Sequence, residues 1–365
     1  MRVLQLIGST GIYGAEAVVG SLARGLPALG IDTCIGHVRY ASAAALKLED
    51  HLPGCDVIPI PQRNRFDLSI LRELRTEIKR RDITAIHSHG YKPDVYGRIV
   101  ASLAGIPVVS TCHLWTKATK ALRAYARVDA VMLRRFDRVV AVSAPILEEL
   151  KSAKIPQEKL VHIPNGIAVS DFASAVPAYR SLFPPNSFIF GAACRQVEAK
   201  GIDILLHSMS RIAGLVPRAR LLIAGDGPRL NQYRELAREL GLAREIVFLG
   251  RCDAMPEFYA SLDTFLLPSL DEGLPIALLE AMASARAVIA TDVGSVKSAV
   301  QNHVTGFLIP AGSAESLTSA MLSVTSNQDR LARLGMAARA HTLTHFSIQK
   351  MLSRYADLYR EVCSQ

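Results

Sequence analysis

Two glutamates eight residues apart, Glu272 and Glu280, and two cations five residues apart, Arg195 and Lys200, offer the most chemistry in this chain. A carboxylate accepts hydrogen bonds from sugar or ribose hydroxyls. Arginine supplies a planar donor fork and lysine a point charge, a pairing suited to a diphosphate. Glu272 lies in a loop and Glu280 more than a turn inside the helix that follows. Pro275 suits the first helical position, where a missing N–H is no loss. Ile276, Ala277, Leu278 and Leu279 include no acid, so the N–H groups and dipole at this helix start form an anion site. On spacing alone, an ordinary strand–loop–helix with two surface glutamates fits equally well.

In the first half, a glycine-rich turn runs from Gly8 through Gly14 to Glu16. It contains no G-x-G-x-x-G, which disfavours a dinucleotide fingerprint. Gly14 would permit close backbone approach, and Glu16 fits a helix-start carboxylate. Histidines cluster at His87, His89 and His113. A lone histidine is more often structural than a ligand, and no nearby Cys or carboxylate cluster or D-x-D pair supports a metal, so none is expected. A basic series carries Lys117, Lys120, Arg123, Arg127, Arg134, Arg135 and Arg138 at roughly helical spacing, just after Trp115, the single tryptophan.

The elements that must position these groups alternate. Short apolar runs predict strands at 3–7, 33–38, 56–60, 85–87, 107–111 and 138–143, then at 188–193, 219–224, 245–249, 264–268, 287–291 and 306–309. Several are apolar on consecutive residues, as strands buried on both faces require. Amphipathic helices fall between them, for example over 230–240 and 315–324. Strand–helix alternation argues for two tandem Rossmann-like parallel-sheet domains. The Pro164-Asn165-Gly166 punctuation marks the join, giving domains of 1–167 and 168–347. Chemistry is then expected just past strand ends, in a cleft between the domains.

Length and composition bound the alternatives. The chain has 365 residues, half of them apolar, which excludes a disordered chain. No apolar run approaches the ~20 residues of a membrane span, and no secretory signal pattern is present. Six dispersed cysteines without a C-x-x-C pair argue against a disulfide framework or zinc site, and lead to the expectation of a reduced cytoplasmic protein. The net charge of +9 is lopsided: residues 1–180 hold 24 basic and 16 acidic side chains, the rest 18 and 17. A basic half favours nucleic acid, anionic lipid or a phosphorylated substrate. No nucleic-acid recognition motif accompanies it.

The E-x7-E pair, set in E-G-L-P-x-x-L-L-E-A-M-A, resembles the signature of family 4 retaining glycosyltransferases of the GT-B fold. Further segments match: Arg195 and Lys200-Gly201 after a strand, Gly225-Asp226-Gly227-Pro228 (a turn by composition, to which no chemistry is assigned), and, in the first half, the H-x-H-G of His87–Gly90 and the T-x-H of Thr111-Cys112-His113. The resemblance covers nearly the whole chain and is densest over 188–312. It implies transfer of a hexosyl or N-acetylhexosaminyl unit from a nucleoside diphosphate sugar, UDP or GDP, to an acceptor hydroxyl, by front-face attack and without metal or cofactor. The implied catalytic set is His113, Arg195, Lys200 and Glu272. The implied donor contacts are Gly14, Arg195, Lys200, Gly250, Arg251, Glu272, Gly273, Leu274, Pro275, Ile276, Ala277 and Glu280. His113 would meet the transferred sugar, and His89 would serve the acceptor side or a structural role. The G-G-x-E turn of the family is altered here, with Tyr13 in place of its first glycine. The last helix, opening near Phe346, is expected to cross back onto the first domain. A lipid-linked or growing saccharide acceptor is expected, with the basic half touching the inner face of a membrane through Trp115, Lys117, Lys120, Arg123 and Arg127. The rival enzyme of this fold is a nucleotide-sugar epimerase or hydrolase; a silent sugar-nucleotide sensor and a basic nucleic-acid-binding protein are further alternatives.

Overall fold

The computed structural model describes residues 1–9, 11, 13–40, 47–64, 67–113 and 120–364; the side chains of residues 9 and 120–125 lie outside the description. Seven strands form the first sheet: β1 Arg2–Ser9, β2 Asp32–Tyr40, β3 Val57–Gln62, β4 Ala85–His89, β5 Val108–Cys112, β6 Arg138–Ala141 and β7 Leu160–His162. Their order is β3-β2-β1-β4-β5-β6-β7 and every pairing is parallel. Six more form the second: β8 Phe188–Ala193, β9 Ala219–Ala224, β10 Ile246–Gly250, β11 Thr264–Leu267, β12 Ala287–Thr291 and β13 Gly306–Ile309. Their order is β10-β9-β8-β11-β12-β13, again all parallel.

All twelve expected strands are present, with ends displaced by a few residues. The thirteenth, β7, was not expected. It is three residues long, lies at a sheet edge and is not buried, so it lacks the apolar run that marks its neighbours. The central strands β4, β5, β8, β11 and β12 are buried at every position, which is why runs such as Val108-Val109 and Phe265-Leu266-Leu267 read as strands at all.

Residues 1–165 together with 349–365 make one unit, and residues 166–348 the other. In the second unit, separate apolar clusters form around Phe265, Leu278 and Met282 and around Phe190, Met209 and Leu266. The helix Ile348–Cys363 belongs to the first unit and buries Met351, Leu352, Tyr355, Ala356, Leu358, Tyr359 and Val362, a stripe at helical spacing. Among the described residues no helix is long and apolar enough to cross a membrane.

Leu358 is 4% exposed, so Leu358→Ala removes packed core. It is expected to lower stability by about 2–5 kcal/mol, read as a lower urea midpoint with an unchanged slope. A loss below ~0.5 kcal/mol would show that this helix contributes little to the first unit.

Candidate active site

In each sheet the strand order reverses beside the first strand, between β1 and β4 and between β8 and β11. Ligands of open parallel sheets bind beyond the strand ends at such points. In the second unit, the loops that follow β8 and β11 carry the expected cations and carboxylates. Lys200 Nζ donates to Glu272 Oε1 at 2.6 Å, and Ser269 Oγ donates to the same oxygen at 2.7 Å. Glu272 is only 8% exposed, and these two donors are what make a charge tolerable there.

Backbone contacts tie the loop after β11 to the loop after β8 and to the segment after β12. Leu270 N donates to Ala199 O at 2.8 Å, and Ser295 N to Gly273 O at 3.1 Å. Thr291 Oγ1, at the end of β12, donates to Ser269 O at 2.6 Å. Two glycines are obligatory. Gly201 has φ +62° and a Cβ there would stand 2.2 Å from Pro268 O; Gly294 has φ +51° and its Cβ would stand 1.8 Å from Glu272 O. The site therefore rests on close backbone approach as much as on side chains.

The helix after Glu272 spans Ile276–Ala283, and its first turn contains no acid. Pro275 is the cap residue preceding the helix, one position earlier than expected; its absent N–H still falls where no intrahelical partner exists. Leu274 and Ile276 turn their side chains into the interior, leaving only backbone to a ligand, and Gly273 is likewise buried. Ala277 is half-buried. Glu280 Oε2 accepts a hydrogen bond from Tyr259 OH at 2.8 Å. Burial pushes the Glu280 carboxyl up to about 6, against the opposing pull of that bond.

Arg195 is exposed on the loop after β8. The Gly225–Gly227 turn, to which sequence reasoning assigned no chemistry, braces that loop: Gln196 N donates to Asp226 O at 2.7 Å, and Arg229 N to Gln196 O at 3.1 Å. Gly225 N also donates to Gly250 O at 2.6 Å, so this carbonyl of the expected donor set is already engaged. Arg251 is exposed and pairs with Asp253 at 3.0 Å. Cys194, beneath the loop, is held as a thiol; burial pushes it up to about 12 although Lys200 pulls the other way.

The first unit has a cavity of about 200 Å³ lined by Glu16, His89, Gly90, Asp94, His113 and Asp129, among others. Gly14 opens the helix Gly14–Gly25, and Glu16 accepts from Tyr13 N at 2.9 Å, a helix-start role. The β4 and β5 side chains sort by sheet face. On one face, His87 Nδ1 meets Tyr359 OH at 2.6 Å, and His87 Nε2 meets Thr111 Oγ1 at 2.7 Å. His89 Nε2 meets Gln5 Oε1 at 2.9 Å, and His89 Nδ1 meets His113 Nε2 at 3.0 Å. On the other face, Ser88 Oγ donates to Asp94, whose carboxyl burial pushes up to about 6. His89, 3% exposed, links Gln5 to His113 and lines the same cavity, where His113 lies half-buried.

Trp115 and Lys117 lie outside the described residues. Lys120 and Arg123 fall in the helix Lys120–Leu133, but their side chains are likewise outside the description; Arg127 on the same helix is exposed. Sequence reasoning missed Gln5, Ser269 and Tyr259. A lone glutamine within the apolar run Val3–Ile7 was the one available signal for Gln5.

The two all-parallel units have the fold of solved GT-B glycosyltransferases. The Anabaena protein HepE in complex with UDP-glucose superposes with a TM-score of 0.87 over 99% of this chain and 100% of its own, at 21% identity. Residues 180–341 match the family model of glycosyl transferases group 1 and residues 12–171 that of glycosyltransferase family 4; the chain belongs to this family and is a glycosyltransferase. An Escherichia coli relative, UDP-Gal:alpha-D-GlcNAc-diphosphoundecaprenol alpha-1,3-galactosyltransferase, is 27% identical over 307 residues, 80% of this chain and 79% of its own. The phosphatidyl-myo-inositol mannosyltransferase of Mycolicibacterium smegmatis is 26% identical over 309 residues, 82% and 78% of the two chains.

A raised carboxyl binds its proton more tightly in the folded state, so stability associated with Glu280 is full below its unfolded value near 4.5 and is lost as pH rises through about 6. Glu280→Gln keeps an acceptor for Tyr259 and removes the buried charge. It is expected to stabilise by at most about 2 kcal/mol at pH 7, with the gain shrinking at pH 5, in paired thermal scans. An equal gain at both pH values would contradict this assignment.

Proposed function

We propose that this enzyme is a retaining, metal-independent transferase that moves a hexosyl or N-acetylhexosaminyl unit from a UDP or GDP sugar to a hydroxyl of a lipid-linked or growing saccharide. The observation that carries the reading is the pair of half-buried Lys200 and buried Glu272 beside an acid-free helix start. The lysine ammonium has three donors and Glu272 engages one, so a diphosphate can share the same cation. Arg195 adds a planar donor fork from the adjoining loop, and the N–H groups at Ile276 and Ala277 add the helix dipole. These groups stabilise the charge that grows on the leaving diphosphate. Glu272 and Glu280 supply acceptors for donor hydroxyls, and His113 meets the transferred sugar.

The relatives support the substrate classes. The name of the Escherichia coli enzyme gives a UDP-Gal donor and a diphosphoundecaprenol-linked acceptor, and the Mycolicibacterium smegmatis enzyme acts on phosphatidyl-myo-inositol. The HepE crystals hold UDP-glucose. A metal-free mechanism is supported by the histidines: both ring nitrogens of His87 and His89 already meet protein partners. Docking of the first unit on an anionic membrane is supported by Arg127, Arg134 and Arg135, all exposed, beside the exposed Val128 and Val131.

Removing one partner of a buried ion pair leaves the other charge stranded, at about 3–5 kcal/mol. The cleaner test is therefore the paired change Lys200→Met with Glu272→Gln, which keeps volume and neutrality. Transfer from the UDP or GDP sugar, assayed with EDTA present, is expected to fall by roughly 10²–10³ or more while circular dichroism stays unchanged. Near-normal transfer by the folded double variant would refute the donor site, and loss of wild-type activity in EDTA would refute metal independence.

Vesicles rich in anionic lipid are expected to sediment the protein at low salt and release it near 1 M, where the screening length shrinks to about 3 Å. Absence of binding at low salt would remove the membrane from the reading.

A further inference from the structure

Three histidines of the first unit, His87, His89 and His113, belong to one continuous hydrogen-bonded chain. It begins at Tyr355 OH, which meets Thr111 Oγ1 at 3.0 Å. It continues through His87 to Tyr359 OH, which accepts from Gln5 Nε2 at 3.1 Å. Gln5 Oε1 then meets His89 Nε2, and His89 Nδ1 meets His113 Nε2. Gln5, His87, Thr111, Tyr355 and Tyr359 are all fully buried, and His89 nearly so. Buried donors need acceptors within the protein, and the chain reaches the cavity at its half-buried His113 end.

The direction of the chain follows from Gln5. Its amide oxygen only accepts, so His89 Nε2 carries the proton and His89 Nδ1 is left as an acceptor. His113 Nε2 must then donate to it, which leaves the lone pair of His113 on Nδ1. On the other side the Gln5 amide nitrogen donates to Tyr359 OH, so the tyrosine hydroxyl donates onward to His87 Nδ1. His87 Nε2–H in turn donates to Thr111. Reversing the amide reverses every member, so the tautomers are set together. Burial keeps all three imidazoles neutral: His113 is pushed down to about 4, and His87 and His89 fall well below the usual value.

We propose that this relay fixes His113 as a single neutral tautomer, protonated on Nε2 with Nδ1 as acceptor, and that Gln5, His89 and Tyr359 are positioning residues acting through it. The functional consequence rests on the reading that His113 meets the transferred sugar: a fixed lone pair would accept from a sugar hydroxyl. The C-terminal helix thereby sets the chemistry of a cavity residue it does not itself line.

The test is ¹⁵N-detected histidine NMR on the full chain at pH 7. His113 is expected to show a pyrrole-type Nε2 and a pyridine-type Nδ1. Tyr359→Phe keeps the ring and removes the hydroxyl that orients Gln5, so His113 is expected to become a mixture of tautomers. Gln5→Met, which removes the amide, is expected to do the same. The opposite tautomer in the wild type, or an unchanged His113 in both variants, would overturn the relay. Transfer kinetics separate the two layers: Tyr359→Phe is expected to lower kcat about 10-fold with little change in donor KM. A tautomer change without any kinetic effect would leave the relay standing and refute the placement of His113 against the sugar.

Discussion

A parallel sheet buried on both faces gives polar side chains only two places to be: at the carboxyl edge, where ligands come, or inside a fully satisfied hydrogen-bonded network. The reactive groups of both units obey this constraint; Thr264 in β11, whose buried hydroxyl meets no hydrogen-bond partner among the described residues, is an exception away from them. In the second sheet the strands are almost wholly apolar, and the charged groups wait in the loops after β8 and β11. In the first sheet, Gln5, His87, His89 and Thr111 are polar and buried within the strands, and each is hydrogen-bonded. An orphan among them would cost about 1–3 kcal/mol.

The donor-side groups illustrate how a catalytic charge is kept ready without being left bare. Lys200 and Glu272 neutralise one another, while Ser269 fixes the carboxylate and is itself held through its carbonyl by Thr291. Glycines at 201 and 294 let the backbone close around the pair. The rigid elements thus lie one shell behind the reacting groups, where positional errors are most costly. Glu280 shows the opposing tendency: its raised carboxyl means that the fold gives up some stability to keep an ionisable acceptor in place.

The sequence made the fold class plain because buried parallel strands leave a distinctive trace, runs of consecutive apolar residues separated by amphipathic segments. It left β7 unseen because a three-residue edge strand needs no such run. The carboxylates and cations stood out by type and spacing. Their partners did not: Lys200 and Glu272 are 72 residues apart, and nothing local to either shows that they pair. The Gly225–Gly227 turn read as a plain turn because its role, bracing the Arg195 loop, is carried by backbone atoms. His89 read as either an acceptor-side or a structural residue; its partners Gln5 and His113 lie 84 and 24 positions away, so nothing local showed the chain it joins.

The bond between Gln5 and Tyr359 joins residues 354 positions apart. A growing chain therefore lays down the first sheet long before the helix that covers its histidine face exists, and all of residues 166–348 must emerge in between. Until then Gln5, His87 and Thr111 lack the tyrosine hydroxyls they meet in the finished unit. The order of synthesis and the order of completion are thus reversed: the unit translated first is the one finished last.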